Sequence, residues 1–378
     1  MYYNPHINLP DNPPEDEDFI IMTYESNPAV MDICYYQEWA ASPDVMYKSE
    51  AEKVTDIGTA FQGLQGNINT YGYGIYGSNE LTGAFTSFDE FKYFTGVTSI
   101  SENAFRDCSR LTSIVIPDSV TTIGSYAFRY CPKLTSITIP DSVTSINSYA
   151  FSGCTGLTSI NIPDSVTYIG DYAFYECSGL TSITIGNSVT SINSYAFSGC
   201  TGLTSIVIPD SVTTIGSYAF DGCSGLTSIT IGNSVTTIGN YAFRYCPKLT
   251  SITIPDSVTT IYNYAFSGCT GLTSINIPDS VTTIGVFAFN NCSGLTSITI
   301  GNSVTTIGDY AFSGCTGLTS ITCRVITTPT INSNTFRGIK SNGVLYYPSG
   351  SAYSRWMSTS AYYLGYYNWT SQEISREI

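Results

Sequence analysis

Hydrophobic residues recur through most of this chain in a fixed order that repeats every 23 residues. A Phe stands three residues before each Cys of the pattern and a Leu three residues after it, without insertion over ten repeats. The ten cysteines are Cys108, Cys131, Cys154, Cys177, Cys200, Cys223, Cys246, Cys269, Cys292 and Cys315. A period between about 20 and 50 residues is typical of a solenoid, in which each repeat forms one coil. The period therefore indicates the fold class before any local pattern is considered.

One repeat extends from Leu134 to Leu157. Its first part, Leu-Thr-Ser-Ile-Thr-Ile, alternates in a way that predicts a short strand with its isoleucines inward and Ser136 and Thr138 outward. Pro-Asp, or Gly-Asn in other repeats, then ends the strand at a turn. The return path through Val, Ile, Ala and Phe predicts an irregular or short helical segment with one buried face.

A single repeat cannot fold alone, since ordering its 23 residues costs about 35 kcal/mol at roughly 1.5 kcal/mol per residue. Stacking removes the apolar side chains from water on both sides and runs one core through the array. With about 4.8 Å between neighbouring strands, ten repeats predict a parallel β-sheet at least roughly 45 Å long.

The motifs resemble those of the BspA-like bacterial surface leucine-rich-repeat proteins. The resemblance is carried by the Leu-x-x-Ile-x-Ile-Pro strand, the Val-x-x-Ile-Gly turn and the closing Ala-Phe-x-x-Cys-x-x-Leu, over about residues 88 to 336. It implies an α/β repeat fold: a leucine-rich-repeat solenoid with a parallel β-sheet on one face, a small N-terminal module and a C-terminal cap. It also implies surface display and adhesion, and hence a cell-surface or extracellular location.

We expect three segments. Residues 1–87 form an acidic tail and a small helical or irregular capping module, residues 88–336 a solenoid of about ten to eleven repeats, and residues 337–378 the C-terminal cap. The first strand is expected at Phe88 to Tyr93. Within the cap, the residue pattern predicts a strand at 344–347 and a short helix at 351–357.

The N-terminal module is predicted to contain two helices. Asn27 can cap a helix that starts at Pro28 and runs to about Trp39, and Ser49 with Glu52 matches a capping box for the second. In relatives the loop between such helices often looks like a calcium-binding hand. Here it lacks the alternating Asp or Asn residues and the central glycine that calcium needs, so no calcium is predicted.

Composition removes several classes of function. The chain is 42% hydrophobic and 11% charged with a net charge of −15, which argues against a mainly disordered chain and against nucleic acid as a partner. The single histidine, His6, leaves little room for histidine-activated nucleophiles or zinc. The chain has no 18-residue apolar stretch and no leader-like N-terminus. We therefore expect no direct membrane insertion, and either a trimmed export signal or delivery within a multiprotein assembly.

The cysteine ladder admits disulfides or a metal array as an alternative to buried thiols. CxxC motifs are missing, the array has no histidine, and each Cys follows a core Phe at a small position. We therefore predict ten reduced thiols in the core, suited to a reducing or anaerobic setting.

A row of turn aspartates suggests paired catalytic carboxylates, but a catalytic pair needs two different environments and a repeat supplies the same one many times. Turn formation is the better interpretation. Gly72, Gly74 and Gly77 spell GxGxxG without a preceding apolar strand, which indicates a loop. No catalytic, metal or cofactor-binding residue is predicted, and the chain is not expected to be an enzyme.

Three exposed features remain as candidate binding surfaces. The first is a small, uncharged row along the strands: Val115, Thr138, Asn161, Thr184, Val207, Thr230, Thr253, Asn276, Thr299 and Thr322. The second is an aromatic row: Tyr126, Tyr149, Tyr172, Tyr195, Tyr218, Tyr241, Tyr264, Phe287 and Tyr310. It offers a strip for stacking on sugars or for partner contact, or its rings cover the core edge and stack on one another.

The third is a cluster of basic residues on adjacent repeats, Arg106, Arg110, Arg129 and Lys133, in an otherwise acidic array. Solvated surface charge is the default interpretation. The alternative is docking of the acidic 11–18 segment or of an anionic partner.

These patterns favour a non-enzymatic binding or adhesion scaffold that meets a protein or glycan through many weak, equivalent contacts. The alternative is a structural or receptor-binding component of a multiprotein particle, such as a phage tail or surface appendage. No cofactor is expected.

Overall fold

The computed structural model describes residues 18–24, 26–58, 60 and 86–375. His6, acidic residues 11–17 and the GxGxxG glycines lie outside the described residues. The N-terminal module comprises β1 (Ile20–Thr23), α1 (Pro28–Tyr36), β2 (Val45–Tyr47) and α2 (Lys48–Ala51), with β1 antiparallel to β2. The following strands are β3 (Ser87–Phe88), β4 (Ser99–Ile100), β5 (Ser113–Ile114), β6 (Thr122–Ile123), β7 (Ser145–Ile146), β8 (Ser159–Asn161), β9 (Tyr168–Ile169), β10 (Ser182–Thr184), β11 (Ser191–Ile192), β12 (Ser205–Val207), β13 (Thr214–Ile215), β14 (Ser228–Thr230), β15 (Thr237–Ile238), β16 (Thr260–Ile261), β17 (Ser274–Ile277), β18 (Thr283–Ile284), β19 (Ser297–Ile300), β20 (Thr306–Ile307), β21 (Ser320–Cys323), β22 (Val344–Pro348) and β23 (Thr370–Ile374).

The strands of the array pair in parallel with the equivalent residue of the next coil. Ser159 is opposite Ser182 and Ser205 is opposite Ser228, so the register advances by one repeat of 23 residues. The outward and inward positions of the predicted strand alternate as expected, with Ile137 7% exposed and Thr138 exposed. The predicted solenoid of parallel strands is confirmed.

A second ladder of short strands lies on another side of each coil, where the sequence predicted only a turn and a return path. It pairs Thr214 with Thr237 and Ile215 with Ile238, and it continues through β16, β18 and β20. The return path takes the irregular alternative, because among the described residues both α-helices belong to the N-terminal module.

The third side of each coil is a turn whose backbone also bonds to the next coil. Tyr126 N donates to Ser148 O at 3.0 Å and Phe128 N donates to Ala150 O at 2.7 Å. Tyr126 has a φ of 59°, in the left-handed region that aromatic residues seldom adopt. The same conformation recurs at every member of the aromatic row. The bonds between coils hold this strained backbone in place.

The core is a continuous column of Phe, Leu, Ile, Val, Ala and Cys side chains. Its phenylalanines from Phe105 to Phe336 stack with ring centroids 5.2–5.8 Å apart. The strand expected at Phe88 to Tyr93 is only two residues long. Residues 89–93 instead form a 3₁₀ helix that turns Phe91 inward, 5.7 Å from Phe105, where it covers the first coil.

The N-terminal module differs from the prediction at both helices. The first ends at Tyr36 rather than near Trp39, and the Asn27 side chain donates to Ser87 O at 3.1 Å instead of capping the helix. The capping-box bond of the second helix runs from Tyr47 N to Glu50 Oε2 at 2.7 Å, two residues earlier than predicted. The Asn27 contact reaches toward the first coil, whereas the bonds at the start of the second helix lie within the module.

The C-terminal cap continues the strand ladder. The predicted strand at 344–347 is present as β22, and β23, which was not predicted, pairs with it in parallel. The helix expected at 351–357 is absent from this described segment, which forms turns. Its Tyr353 hydroxyl and Trp356 Nε1 instead donate to Val325 O and Pro329 O of the preceding coil. Trp356 also packs on Phe336 at 5.4 Å and closes the phenylalanine column.

Candidate functional site

The strand face is the most exposed regular surface of the array. The central outward residue of each strand is exposed from Val115 to Asn276, and Val207 is 62% exposed. In the neighbouring lane, threonine hydroxyls are used within the ladder, as where Thr181 Oγ1 donates to Thr158 O at 3.0 Å. The strand face therefore leaves a lane of small side chains available to a ligand.

The aromatic row forms one continuous stack. Ring centroids from Tyr126 to Tyr310 are 4.4–4.8 Å apart, and interplanar angles are 2–13°. Each interior ring has both faces covered by its neighbours, which leaves its edge and hydroxyl toward solvent. The structure thus places the rings as the second interpretation describes, and a sugar cannot stack on an interior face without opening the column.

Desolvation is the largest cause of shifted acidity in this column. Together with the neighbouring phenols, it raises the pKa of Tyr195 to about 12 and the pKa of Tyr149 and Tyr241 above the ordinary tyrosine value. These three phenols are accordingly neutral at physiological pH.

The basic cluster lies at the N-terminal end of the column. The Arg129 guanidinium is 4.5 Å from the Tyr130 ring centroid and 5.3 Å from that of Tyr126. Arg106 lies 5.8 Å from the Tyr126 ring and pairs with Asp107 at 3.3 Å. Arg110 and Lys133 occupy equivalent, exposed positions on the same two adjacent coils. The structure thus sets the four predicted cations on neighbouring coils.

A second copy of this arrangement occurs five repeats later, because the segment Phe-Arg-Tyr-Cys-Pro-Lys appears at 128–133 and again at 243–248. There the guanidinium of Arg244 forms two 2.8 Å hydrogen bonds to Asp221 and lies 5.0 Å from the Tyr245 ring. Asp221 was not singled out from the sequence. An alignment of the two identical segments would have revealed it. The coil before the first segment has Arg106 at the position where the coil before the second has Asp221.

All twelve cysteines fall within the described residues, and all are buried and free. From Cys131 onward, each thiol of the ladder donates to the carbonyl of the Phe 26 residues earlier, at S–O distances of 3.1–3.3 Å. Burial raises the thiol pKa, to about 12 at Cys315. In the described part of the chain, no group of three or more His, Cys, Asp or Glu residues is arranged to hold a metal ion.

The turn aspartates bond the next coil rather than one another. Asp164 Oδ1 accepts from Asn187 N at 2.7 Å, and Asp210 Oδ1 accepts from Asn233 N at 2.7 Å. At Gly186 a Cβ would lie 2.3 Å from Pro163 O, so the backbone of this Gly-Asn turn approaches the preceding coil closely. These carboxylates are therefore part of the stacking of turns.

Comparison with known proteins addresses the family. The family model of the BspA type leucine rich repeat region matches residues 82–204, 121–249, 191–319 and 236–353, with six copies of the repeat. The chain belongs to the BspA-type leucine-rich-repeat family.

Solved structures of bacterial leucine-rich-repeat proteins are similar to this BspA-type protein. One from Bacteroides ovatus is 30% identical, with 76% of this chain and 87% of that chain covered and a TM-score of 0.55. A leucine rich cell surface protein from Faecalibacterium prausnitzii is 31% identical, covering 63% and 82%, with a TM-score of 0.35. The leucine-rich-repeat protein of T. pallidum is 29% identical, covering 50% and 80%, with a TM-score of 0.40. No curated protein matches this chain.

Membership in the BspA-type family indicates a binding scaffold, and the leucine-rich-repeat fold is typically non-enzymatic. Proteins of this family are typically found at surfaces. Across the segments that the structure describes, no helix combines the length and apolar character needed to cross a bilayer.

Proposed function

We propose that this BspA-type protein is a surface-displayed, non-enzymatic adhesion scaffold that binds an extended protein or glycan along its strand face. The observation that carries the proposal is the exposed lane of small, mostly uncharged residues from Val115 to Asn276, presented by coils in strict register. Its members recur at the strand spacing of about 4.8 Å.

A surface of this kind favours repetition over a single pocket. Small uncharged side chains such as Thr184 and Thr230 give weak individual contacts, and strong single-site interfaces usually need aromatic or Arg anchors. A ligand that repeats along its own length can make several such contacts at once, so its overall affinity rises through effective concentration. Fibrous proteins and polysaccharides both have this property.

The test is adhesion of beads coated with the intact chain to immobilised mucin, collagen, cellulose and peptidoglycan. The test variant combines Thr184→Lys, Val207→Lys and Thr230→Lys, which places bulky charges along the lane. We expect its binding to whichever probe the unchanged chain binds to fall about tenfold or more, through loss of avidity.

The matched control is Thr201→Lys, Thr270→Lys and Thr316→Lys combined, which adds the same charge at exposed threonines on the turn side. Equal loss in both variants, binding no greater than that of the denatured chain, or release of sugars or peptides from a probe would each overturn the proposal.

A further inference from the structure

The two Phe-Arg-Tyr-Cys-Pro-Lys segments present the same residues with different electrostatics. We propose that the first, together with the coil before it, is a binding site for an anionic polysaccharide that carries carboxylate or sulfate groups on successive sugars. The site consists of Arg106, Arg110, Arg129, Tyr130 and Lys133. It is here called the basic site.

The basic site is a charge cluster that is only partly compensated. Within the described residues, Arg106 has an acidic partner, Asp107, while Arg110, Arg129 and Lys133 have no ion pair. The rings of Tyr126, Tyr130 and Tyr149 hold the Arg129 guanidinium in place. Their centroids lie 5.3, 4.5 and 5.4 Å from it. A guanidinium already fixed by its neighbours loses little conformational entropy when it binds an anion.

The second segment is a neutralised counterpart of the basic site, with Gly225 in the position of Arg110. The position that holds Arg106 in the first copy holds Asp221 in the second, and Asp221 forms a two-pronged pair with Arg244 at 2.8 Å. A carboxylate already occupies the donors that an anionic ligand would use. The chain therefore supplies its own control for the cluster.

A groove adjoins the cluster. A cavity of about 340 Å³ is lined by Asp107, Ser109, Tyr130, Pro132, Gly153 and Thr155. Tyr130 is 43% exposed. Its ring packs directly against Gly153, because a Cβ at that position would lie only 2.3 Å from Tyr130 Cδ1. Arg110 and Lys133 directly follow two lining residues in the chain. The groove thus offers an aromatic edge for stacking, and the exposed Arg110 and Lys133 beside its lining residues supply the charges that an anionic sugar would bind.

The spacing of the cations favours a polysaccharide over a peptide. Equivalent backbone positions on adjacent coils recur about every 4.8 Å, whereas side chains on one face of an extended peptide recur only about every 6.8 Å. The net charge of −15 repels any polyanion at longer distances, so binding of the polysaccharide depends on the local contacts of the basic site. This inference rests on the proposed function for the place where the protein meets a polysaccharide. The site itself rests on the residues named above.

The test is calorimetric titration of the full chain with a heparin-derived tetrasaccharide and with polygalacturonate, using dextran as the neutral probe. Arg129→Ala with Lys133→Ala removes two cations of the basic site, and we expect affinity for the anionic probes to fall about tenfold or more. Affinity of the unchanged chain should also fall as salt rises from about 50 to about 200 mM. Arg244→Ala with Lys248→Ala is the matched control and should leave affinity unchanged.

Asp221→Arg supplies a gain-of-function arm, because it places an arginine beside Arg244 as Arg106 stands beside Arg129. We expect a second, weaker salt-dependent site in the titration, because Gly225 stands where the basic site has Arg110. Equal loss in the two Ala pairs, no second site in Asp221→Arg, or tighter binding of polyglutamate or DNA than of either polysaccharide would overturn the proposal. Soluble probes make this result independent of the bead-adhesion assay, so the two proposals can fail separately.

Discussion

At the scale of single residues, the cysteines do more than fill space. Cys200 Sγ donates to Phe174 O at 3.2 Å, and the same carbonyl accepts from Cys177 N, so one donor from the next coil and one from the same coil converge on one buried oxygen. The sequence marks these positions as small and apolar. It does not show that a buried carbonyl faces each of them.

We expect Cys200→Ala to lower the free energy of unfolding by about 1–2 kcal/mol, because it removes a buried sulfur and a weak hydrogen bond. Cys200→Ser keeps a donor at the same position and should lose less. The measurement is the midpoint and slope of urea denaturation for both variants.

The other buried thiols provide a control that shows whether each variant keeps its native core. Burial raises the pKa of thiols such as Cys223 and Cys292, so they should stay unreactive toward a thiol reagent in native buffer. If the Ser variant is less stable than the Ala variant, the hydrogen bond does not contribute to stability as argued here.

At the scale of the element, the aromatic column joins the coils along one edge. Its rings stack face to face, and Phe287 occupies one position without a hydroxyl while remaining 4.7 Å from both neighbours. The rings therefore account for the stacking, and the Tyr195 hydroxyl adds a titratable group whose neutral form the column favours.

The column should make stability fall at alkaline pH. Because the folded pKa of Tyr195 is raised to about 12, the neutral form is favoured by folding. That contribution is fully present below the unfolded value of about 10 and is lost as pH rises through the folded value. Tyr195→Phe should shift alkaline unfolding to higher pH, measured by circular dichroism alongside phenolate absorbance.

Tyr35→Phe serves as the comparison, since Tyr35 is 48% exposed and lies outside the column. An equal shift of the alkaline midpoint in both variants would show that the column has no special role.

At the scale of the whole molecule, each coil is stabilised mainly by its two neighbours, so the ends need covers. Phe91 packs on Phe105 at the N-terminal end, and Trp356 packs on Phe336 at the C-terminal end. Both covers come from segments that depart from the repeat pattern.

We expect Trp356→Ala to cost about 3–5 kcal/mol locally, as large-to-small changes in a core do. Hydrogen exchange should show lost protection in residues 297–336, with the central coils unchanged because coupling is between nearest neighbours. Phe91→Ala should produce the mirror result over residues 97–123. Uniform loss along the array would contradict this description.

The 23-residue period was enough to predict the solenoid and the buried Phe, Cys and Leu positions, because a pattern repeated ten times admits one register. The local pattern Leu-Thr-Ser-Ile-Thr-Ile also predicted that Ile137 points inward and Thr138 outward, because this alternation is a local property of a strand.

Only the tertiary structure decided the second strand ladder, the turn at 351–357, the thiol acceptors and the pairing of Arg244 with Asp221. In each case the partner lies 22 to 28 residues away in the chain, on the adjacent coil. Local sequence sets what a residue can offer, and the stacking of coils sets which group stands opposite it.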